Sequence, residues 1–314
     1  LAGLYATARA LKRDLADLRF VLAGSGAAGI GIVRLLHRAL AEAGTSREEA
    51  GSRIAVLDSR GLVHAGRSDL DEFKREFAMS EEAVTRMELT LEGGDHQHLA
   101  EVIRAMRPDV LIGTTGQLGS FDEPVIRAMA EGVERPVVFA LSNPSSRVEA
   151  IPADILTWSG GRALIATGSP FGQPTWEGRE RLVGQANNVF IFPGVGLGAV
   201  VAEVRTITEP MFLVAARALA AEVSDERLAD GAIYPPVEAL ADISRAVALA
   251  VGEEAVASGV AGISPGTDLA AAIDEAMWHP AYVPYIRSRA AVHLEEGGTA
   301  HGDRATYEVA ELPS

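Results

Sequence analysis

The first segment whose residue types and spacing point to chemistry is Gly24-Ser25-Gly26-Ala27-Ala28-Gly29. A G-x-G-x-x-G run between a strand and a helix can hold a pyrophosphate against backbone N–H groups. Gly24 permits the tight turn, Gly26 lets the phosphate approach the backbone, and Gly29 lets the helix lie close to the sheet. The helix start adds unpaired N–H groups and a partial positive charge. Asp58 ends the next apolar run, where a carboxylate can accept hydrogen bonds from an adenosine ribose. It lies 29 residues beyond Gly29, against about 20 in the standard unit. The pair therefore reads as a dinucleotide site with a lengthened crossover, for which Glu42 to Arg53 offers a continuation of the helix. The competing interpretation is a glycine turn in a sheet protein that binds no nucleotide.

Four later segments also set small or amide residues at the ends of apolar runs. They are Ile112 to Gly116, Ala140 to Pro144, Ala166 to Phe171, and Gly184 to Asn188 running on to Gly194. An Asn amide there can donate to a carboxylate or carbonyl and accept from a hydroxyl, the groups a 2-hydroxy acid presents. The alternative for each Asn is a turn residue that caps its own backbone.

These loops need a scaffold that delivers them to one edge. Short apolar runs at Arg19–Ala23, Ile54–Leu57, Val110–Ile112, Pro136–Leu141, Ala163–Ala166 and Val189–Phe192 read as strands. Helical patterns separate several of them, at Leu1–Leu18, Ala27–Ala43, Leu99–Met106 and Glu123–Ala130. Such alternation predicts an α/β fold: a Rossmann-like doubly wound, mainly parallel sheet covered on both faces. From Pro210 the pattern is helical, broken at Tyr234-Pro235-Pro236, and predicts a C-terminal helical cap over 210–290. Residues 291–314 read as a loose polar tail.

The 314 residues carry 28 Lys and Arg against 43 Asp and Glu, a net charge of −15. That argues against nucleic acid or an anionic membrane as partner, since phosphate binding needs clustered cations. With no cysteine, disulfides, thiolate catalysis and Cys-ligated zinc are excluded. No signal peptide or membrane span is legible, and a cytoplasmic protein is expected. Asp95-His96-Gln97-His98 contains metal-ligand types but reads as a solvated helix start, where a His-x-His pair diverges. Ser169 stands in no nucleophile-elbow pattern.

Taken together, the glycine loop, Asp58 to Gly61, Arg104 to Asp109, Ser142-Asn143-Pro144, Gly168-Ser169-Pro170-Phe171, Asn187-Asn188 and Tyr234-Pro235-Pro236 resemble the malic enzymes. The resemblance spans about residues 1–290, and Ser142 to Ala150 and the Trp278 region are most similar to bacterial members. It implies oxidation of L-malate with NAD or NADP, then decarboxylation to pyruvate. By resemblance, Gly24, Ser25, Gly26, Ala27, Ala28 and Gly29 hold the pyrophosphate. Asp58, with Ser59 and Arg60, stands at the adenosine ribose, and Thr114 and Thr115 line the cleft. Ser142 and Asn143 lie toward the nicotinamide, and Asn143 and Asn188 touch malate. Ala186 departs from the glycine found there in many members.

In that family a Tyr acid, a Lys base and carboxylate ligands for Mg²⁺ or Mn²⁺ lie in an upstream domain whose motifs do not appear here. The expectation is therefore no catalytic residue and no metal ligand in this chain, cofactor binding without turnover, and a dimer or tetramer for the full-length enzyme. For the cofactor, a bare Asp58 would repel a 2′-phosphate. Arg60, Lys74 and Arg75 could instead bind one, and the resemblance says that both cofactor classes keep the acidic residue. Ser59-Arg60 resembles the NADP branch and the later segments the NAD branch, so NAD is the expectation. Two other readings stay open: another hydroxy- or amino-acid dehydrogenase, and a stand-alone NAD(P)-binding module.

Overall fold

A computed structural model describes residues 1–89, 97–278 and 282. Helix α1 (Ala2–Leu11) and a short 3-10 turn lead into strand β1 (Phe20–Ala23). Helices α2 (Ala27–Glu42) and α3 (Arg47–Arg53) cross over to β2 (Ile54–Asp58). The two-residue β3 (Gly61–Leu62) then turns back antiparallel on β2. Helices α4 (Glu72–Glu76), α5 (Glu81–Arg86) and α6 (Gln97–Met106) precede β4 (Val110–Gly113). The winding continues with α7 (Glu123–Gly132), β5 (Val137–Ala140), α8 (Pro152–Trp158) and β6 (Leu164–Thr167). A small hairpin, β7 (Thr175–Trp176) and β8 (Arg179–Glu180), comes before the outer strand β9 (Gly184–Gln185). Helices α9 (Phe192–Val201), α10 (Glu209–Ala221), α11 (Asp225–Ala229), α12 (Leu240–Ala257) and α13 (Leu269–Ala276) follow.

The main sheet runs β3-β2-β1-β4-β5-β6-β9 and is parallel except for β3. The chain winds from β1 outward to one side and then returns to wind to the other, which leaves a crevice where the order reverses, beyond the carboxyl ends of β1 and β4. Side chains alternate across the strands. Phe20, Leu22, Val56, Ile112 and Phe139 belong to one core with Leu4, Val33, Leu36 and Leu213. Val21, Leu111, Val138 and Ile165 belong to the other, with Ile103, Val125, Ile126 and Ile155. Both faces are thus buried, which is why these strands read as continuous apolar runs. A third core, including Val195, Met211, Ile243, Val247 and Val251, joins α9, α10 and α12. Residues Leu1–Met277 form one compact unit, and the segment expected as a loose tail, 291–314, lies outside the described residues.

Three expectations are corrected. Val189–Phe192 is not a strand: Asn187 caps a 3-10 turn by accepting from the Val189 N–H, and α9 then starts with Pro193 in its first turn. Proline has the backbone angle a first helical turn needs and no N–H to satisfy there. The outer strand is instead the shorter β9, whose Gly-Gln sequence carries no apolar signal. The leading helix stops at Leu11, where Lys12 adopts a left-handed conformation and its N–H closes on Ala8 and Arg9. The crossover helix does not run on to Arg53. It ends at Glu42, Gly44 turns, and Ser46 caps the separate α3 by accepting from the Glu49 N–H, a standard helix-start device.

The glycine loop lies between β1 and α2. Gly24 has φ of +109°, and a Cβ there would stand 2.5 Å from the Thr114 carbonyl oxygen. At Gly29 a Cβ would stand 1.8 Å from the Gly24 carbonyl oxygen, whereas nothing lies within 4 Å of one at Gly26. Gly29→Ala would ordinarily favour a helix by about 1 kcal/mol, but here the methyl meets backbone that cannot step aside. We expect a net loss of at least about 3 kcal/mol in chemical denaturation. Gly26→Ala is expected to stay within about 1 kcal/mol of the parent. Equal effects of the two would refute this assignment of roles.

Candidate cofactor site

Parallel register brings the strand ends into one row: Leu57, Ala23, Gly113, Ala140, Thr167 and Gln185 are successive partners across the sheet. The loops beyond this row enclose a cleft of about 580 Å³. Gly24, Ser25 and Gly26 form its floor, Asp58, Ser59 and Lys74 one rim, and Thr114, Thr115, Gln117 and Ser120 the other. Thr114 fixes the floor. Its N–H donates to the Ala23 carbonyl at 2.8 Å and its hydroxyl to the Gly24 carbonyl at 2.8 Å. The Gly24 N–H donates to the Leu57 carbonyl at 2.9 Å, so the loop is tied to both neighbouring strands. A dinucleotide fits this cradle: the space above Gly26 is open, and it faces the first turn of the 16-residue helix α2.

Asp58 does not stand bare. Arg67 grips it with two N–H donors at 2.9 and 3.0 Å, Lys74 Nζ lies at 2.9 Å, and the Arg60 N–H donates to it at 2.9 Å. The same Arg67 also holds Asp69, which in turn pairs with the Arg60 guanidinium at 2.8 Å. Burial pushes the Asp58 carboxyl up, but hydrogen bonds from Arg67, Lys74 and the Arg60 amide outweigh it and hold the group below its ordinary value. Arg67, with 11% of its side chain exposed, carries no motif that marked it in the sequence. Its pairing removes the simple electrostatic argument for NAD, because a compensated carboxylate repels a 2′-phosphate weakly. The side chains of Arg60 and Arg75 do not line the cleft: Arg60 turns to Asp69 and Arg75 to the Leu70 carbonyl.

Of the remaining expected positions, Ala27, Ala28 and Gly29 lie in the first turn of α2. Ser142, at the end of β5, is buried and spends its hydroxyl on the Gly116 N–H and on Glu149. Asn143 is exposed, and its Oδ1 accepts from the Ser169 hydroxyl. Asn188 is exposed in the 3-10 turn that follows β9. These three share the strand-end edge with the cleft without lining it. Asp95 and His96 lie outside the described residues. Among the described residues, no three His, Cys, Asp or Glu side chains are placed to hold a metal ion. No helix of the described residues is long and apolar enough to cross a membrane.

The sequence matches the family described as malic enzyme, NAD binding domain, over residues 1–256. This chain belongs to the malic enzyme family. It is 39% identical over 284 residues to NAD-dependent malic enzyme 3 of Bacillus subtilis, covering 90% of this chain and 50% of the relative. It is 38% identical to an NAD-dependent malic enzyme of Sodalis glossinidius, covering 92% of this chain and 50% of that one. Among solved structures, the malic enzyme of Entamoeba histolytica superposes with a TM-score of 0.67 at 26% identity, over 88% of this chain and 50% of that one. The malic enzyme of Pyrococcus horikoshii gives 0.63 at 26% identity, over 87% of this chain and 55% of that one. The chain thus spans about half the length of the curated relatives it matches. The fold expected from the sequence, a Rossmann-like NAD-binding sheet, is the one these malic enzymes share.

The Asp58 network has a pH signature. Its carboxyl titrates lower in the folded protein than in the unfolded chain. The resulting stability is present above the unfolded value of about 3.9 and is lost as pH falls through the depressed folded value. Asp58→Asn is expected to flatten the acid limb of a stability–pH curve and to cost roughly 1–3 kcal/mol at neutral pH, because Lys74 loses its carboxylate and Arg67 keeps only Asp69. Parallel acid limbs for the two proteins would show that Asp58 gains nothing from its partners.

Proposed function

We propose that the chain forms the cofactor-binding part of an enzyme that oxidises L-malate and decarboxylates the product to pyruvate and CO₂. The observation that carries this is the cleft at the strand-end row, floored by Gly24–Gly26, in a member of the malic enzyme family. Bound NAD would accept a hydride from C2 of malate. The chain's residues do the holding. The Gly24–Gly26 backbone and the start of α2 take the pyrophosphate. Asp58, poised by Arg67 and Lys74, accepts from the adenosine ribose, with Ser59 beside it. Thr114 and Thr115 face the cofactor, and the loop of Ser142 and Asn143 borders its nicotinamide end. Asn143 and Asn188 supply amides to malate's carboxylate and hydroxyl.

Malate oxidation needs a base for the C2 hydroxyl, and the enol that follows decarboxylation needs an acid. Among the described residues, the cleft is lined by one lysine, Lys74, already paired with Asp58, and by no tyrosine. In this reading the acid, the base and a divalent cation come from groups other than the described residues. A dimer or tetramer and a cytoplasmic setting belong to the same reading, as the resemblance implies. The preference for NAD over NADP rests on relatives named NAD-dependent, not on Asp58, whose charge is compensated.

Calorimetric titration of the 314-residue chain with NADH and with NADPH tests this. NADH is expected to bind more tightly, and Gly26→Leu to weaken it at least about 100-fold, by filling the space that the pyrophosphate needs. Reduction of NAD by this chain alone, with malate and Mg²⁺ or Mn²⁺, is not expected. A folded chain that binds neither cofactor would overturn the assignment of the cleft.

A further inference from the structure

Glu149 has no exposed surface and no Lys or Arg partner among the described ion pairs. A buried carboxylate in that position must be met by hydrogen-bond donors, and the donors come from two strand ends. From the loop after β4, the Thr115 N–H and hydroxyl donate to Oε1 at 2.8 and 3.0 Å. From the loop after β5, the Ser142 N–H donates to Oε2 at 3.2 Å and its hydroxyl to Oε1 at 2.5 Å. A carboxylate only accepts, so both hydroxyl protons turn inward. Their oxygens are then free to accept from the next backbone N–H groups. Ser142 Oγ takes Gly116 at 2.9 Å, and Thr115 Oγ1 takes Gln117 at 3.1 Å. The side chain reaches this place across Gly113, where a Cβ would stand 2.6 Å from it. No feature of the sequence marked Glu149 beyond a lone charge between Val148 and Ala150.

The pattern leads beyond the cofactor assignment. Thr115, Gln117 and Ser120 line the cleft wall away from Asp58, and all three are organised around this carboxylate, Ser120 through the Thr115 hydroxyl at 3.0 Å. We propose that Glu149 is a positioning residue for the nicotinamide half of the cofactor. It clamps the β4 and β5 loops in one arrangement and leaves the adenosine half, held by the glycine loop and Asp58, untouched. The inference rests on the dinucleotide reading of the cleft.

Glu149→Gln keeps the volume but puts an NH₂ against donors that need an acceptor, so one loop must let go. The test compares NADH with ADP-ribose, which lacks the nicotinamide, on the full 314-residue chain whose folding is checked by thermal melting. Glu149→Gln is expected to weaken NADH about tenfold or more and to change ADP-ribose less than about twofold. Ser142→Ala, which removes one hydroxyl and keeps the carboxylate, is expected to show the same split and serves if Glu149→Gln does not fold. Combining the two should cost less than the sum of their effects, since both loosen one clamp. Equal losses for both ligands, or no loss of NADH in the folded variants, would overturn the positioning role. If the parent chain binds neither ligand, the cofactor reading falls and this inference with it; a parent that binds both isolates the question to Glu149.

Discussion

Everything at the candidate site depends on the parallel hydrogen-bond register of the central strands. Parallel pairing delivers each strand's carboxyl end to the same side of the sheet, and the register keeps those ends level, from Leu57 across to Gln185. A one-residue slip would turn every side chain to the opposite face and would separate Gly24 from Thr114. The register is in turn held by two apolar cores whose members alternate along each strand. Packing far from the cleft therefore decides the geometry within it. Tying loops to the row with backbone bonds, as Thr114 and Gly24 do, converts that regularity into a fixed surface.

The charges around the cleft follow a different logic. Asp58 is held by two cations, and one of them is shared with Asp69, so the rim is a network in which no carboxylate faces solvent alone. Glu149 is held by neutral donors only. The first arrangement sets opposite charges against one another where both are largely withdrawn from water, so each offsets the other. The second lies where water is excluded and each donor counts for more. The two halves of the cleft are thus stiffened by different physics: ion pairs on the Asp58 side, a hydrogen-bonded carboxylate on the Thr115 side.

Much of this is legible in the residues themselves. The glycine loop, Asp58 and the strands at 20–23, 54–58, 110–113, 137–140 and 164–167 stand out because their signals are local: spacing, apolarity and turn chemistry. What escaped depends on distant partners. Val189–Phe192 has a strand's composition, yet Asn187 and Pro193 start a helix there. Gly184-Gln185 has no strand composition and pairs only because β6 offers it an edge. Arg67 and Glu149 look like ordinary charges until the fold brings Asp58 to one and Thr115 and Ser142 to the other. Ser142 stands out by its motif, but the partners of its hydroxyl, the Gly116 N–H and Glu149, appear only once the fold brings them together.

The sheet's two outermost members, β3 and β9, are each two residues long, and β3 runs against its neighbours. An unpaired strand edge is a template on which another chain can add itself, and long flat edges invite aggregation. Here the templates are too short to register a guest, and one of them adjoins the charged ring of Arg60, Arg67 and Asp69. A sheet so blunted resists growing sideways in a crowded solution or during slow refolding. Another chain is thereby offered little backbone to pair with at either end of the sheet.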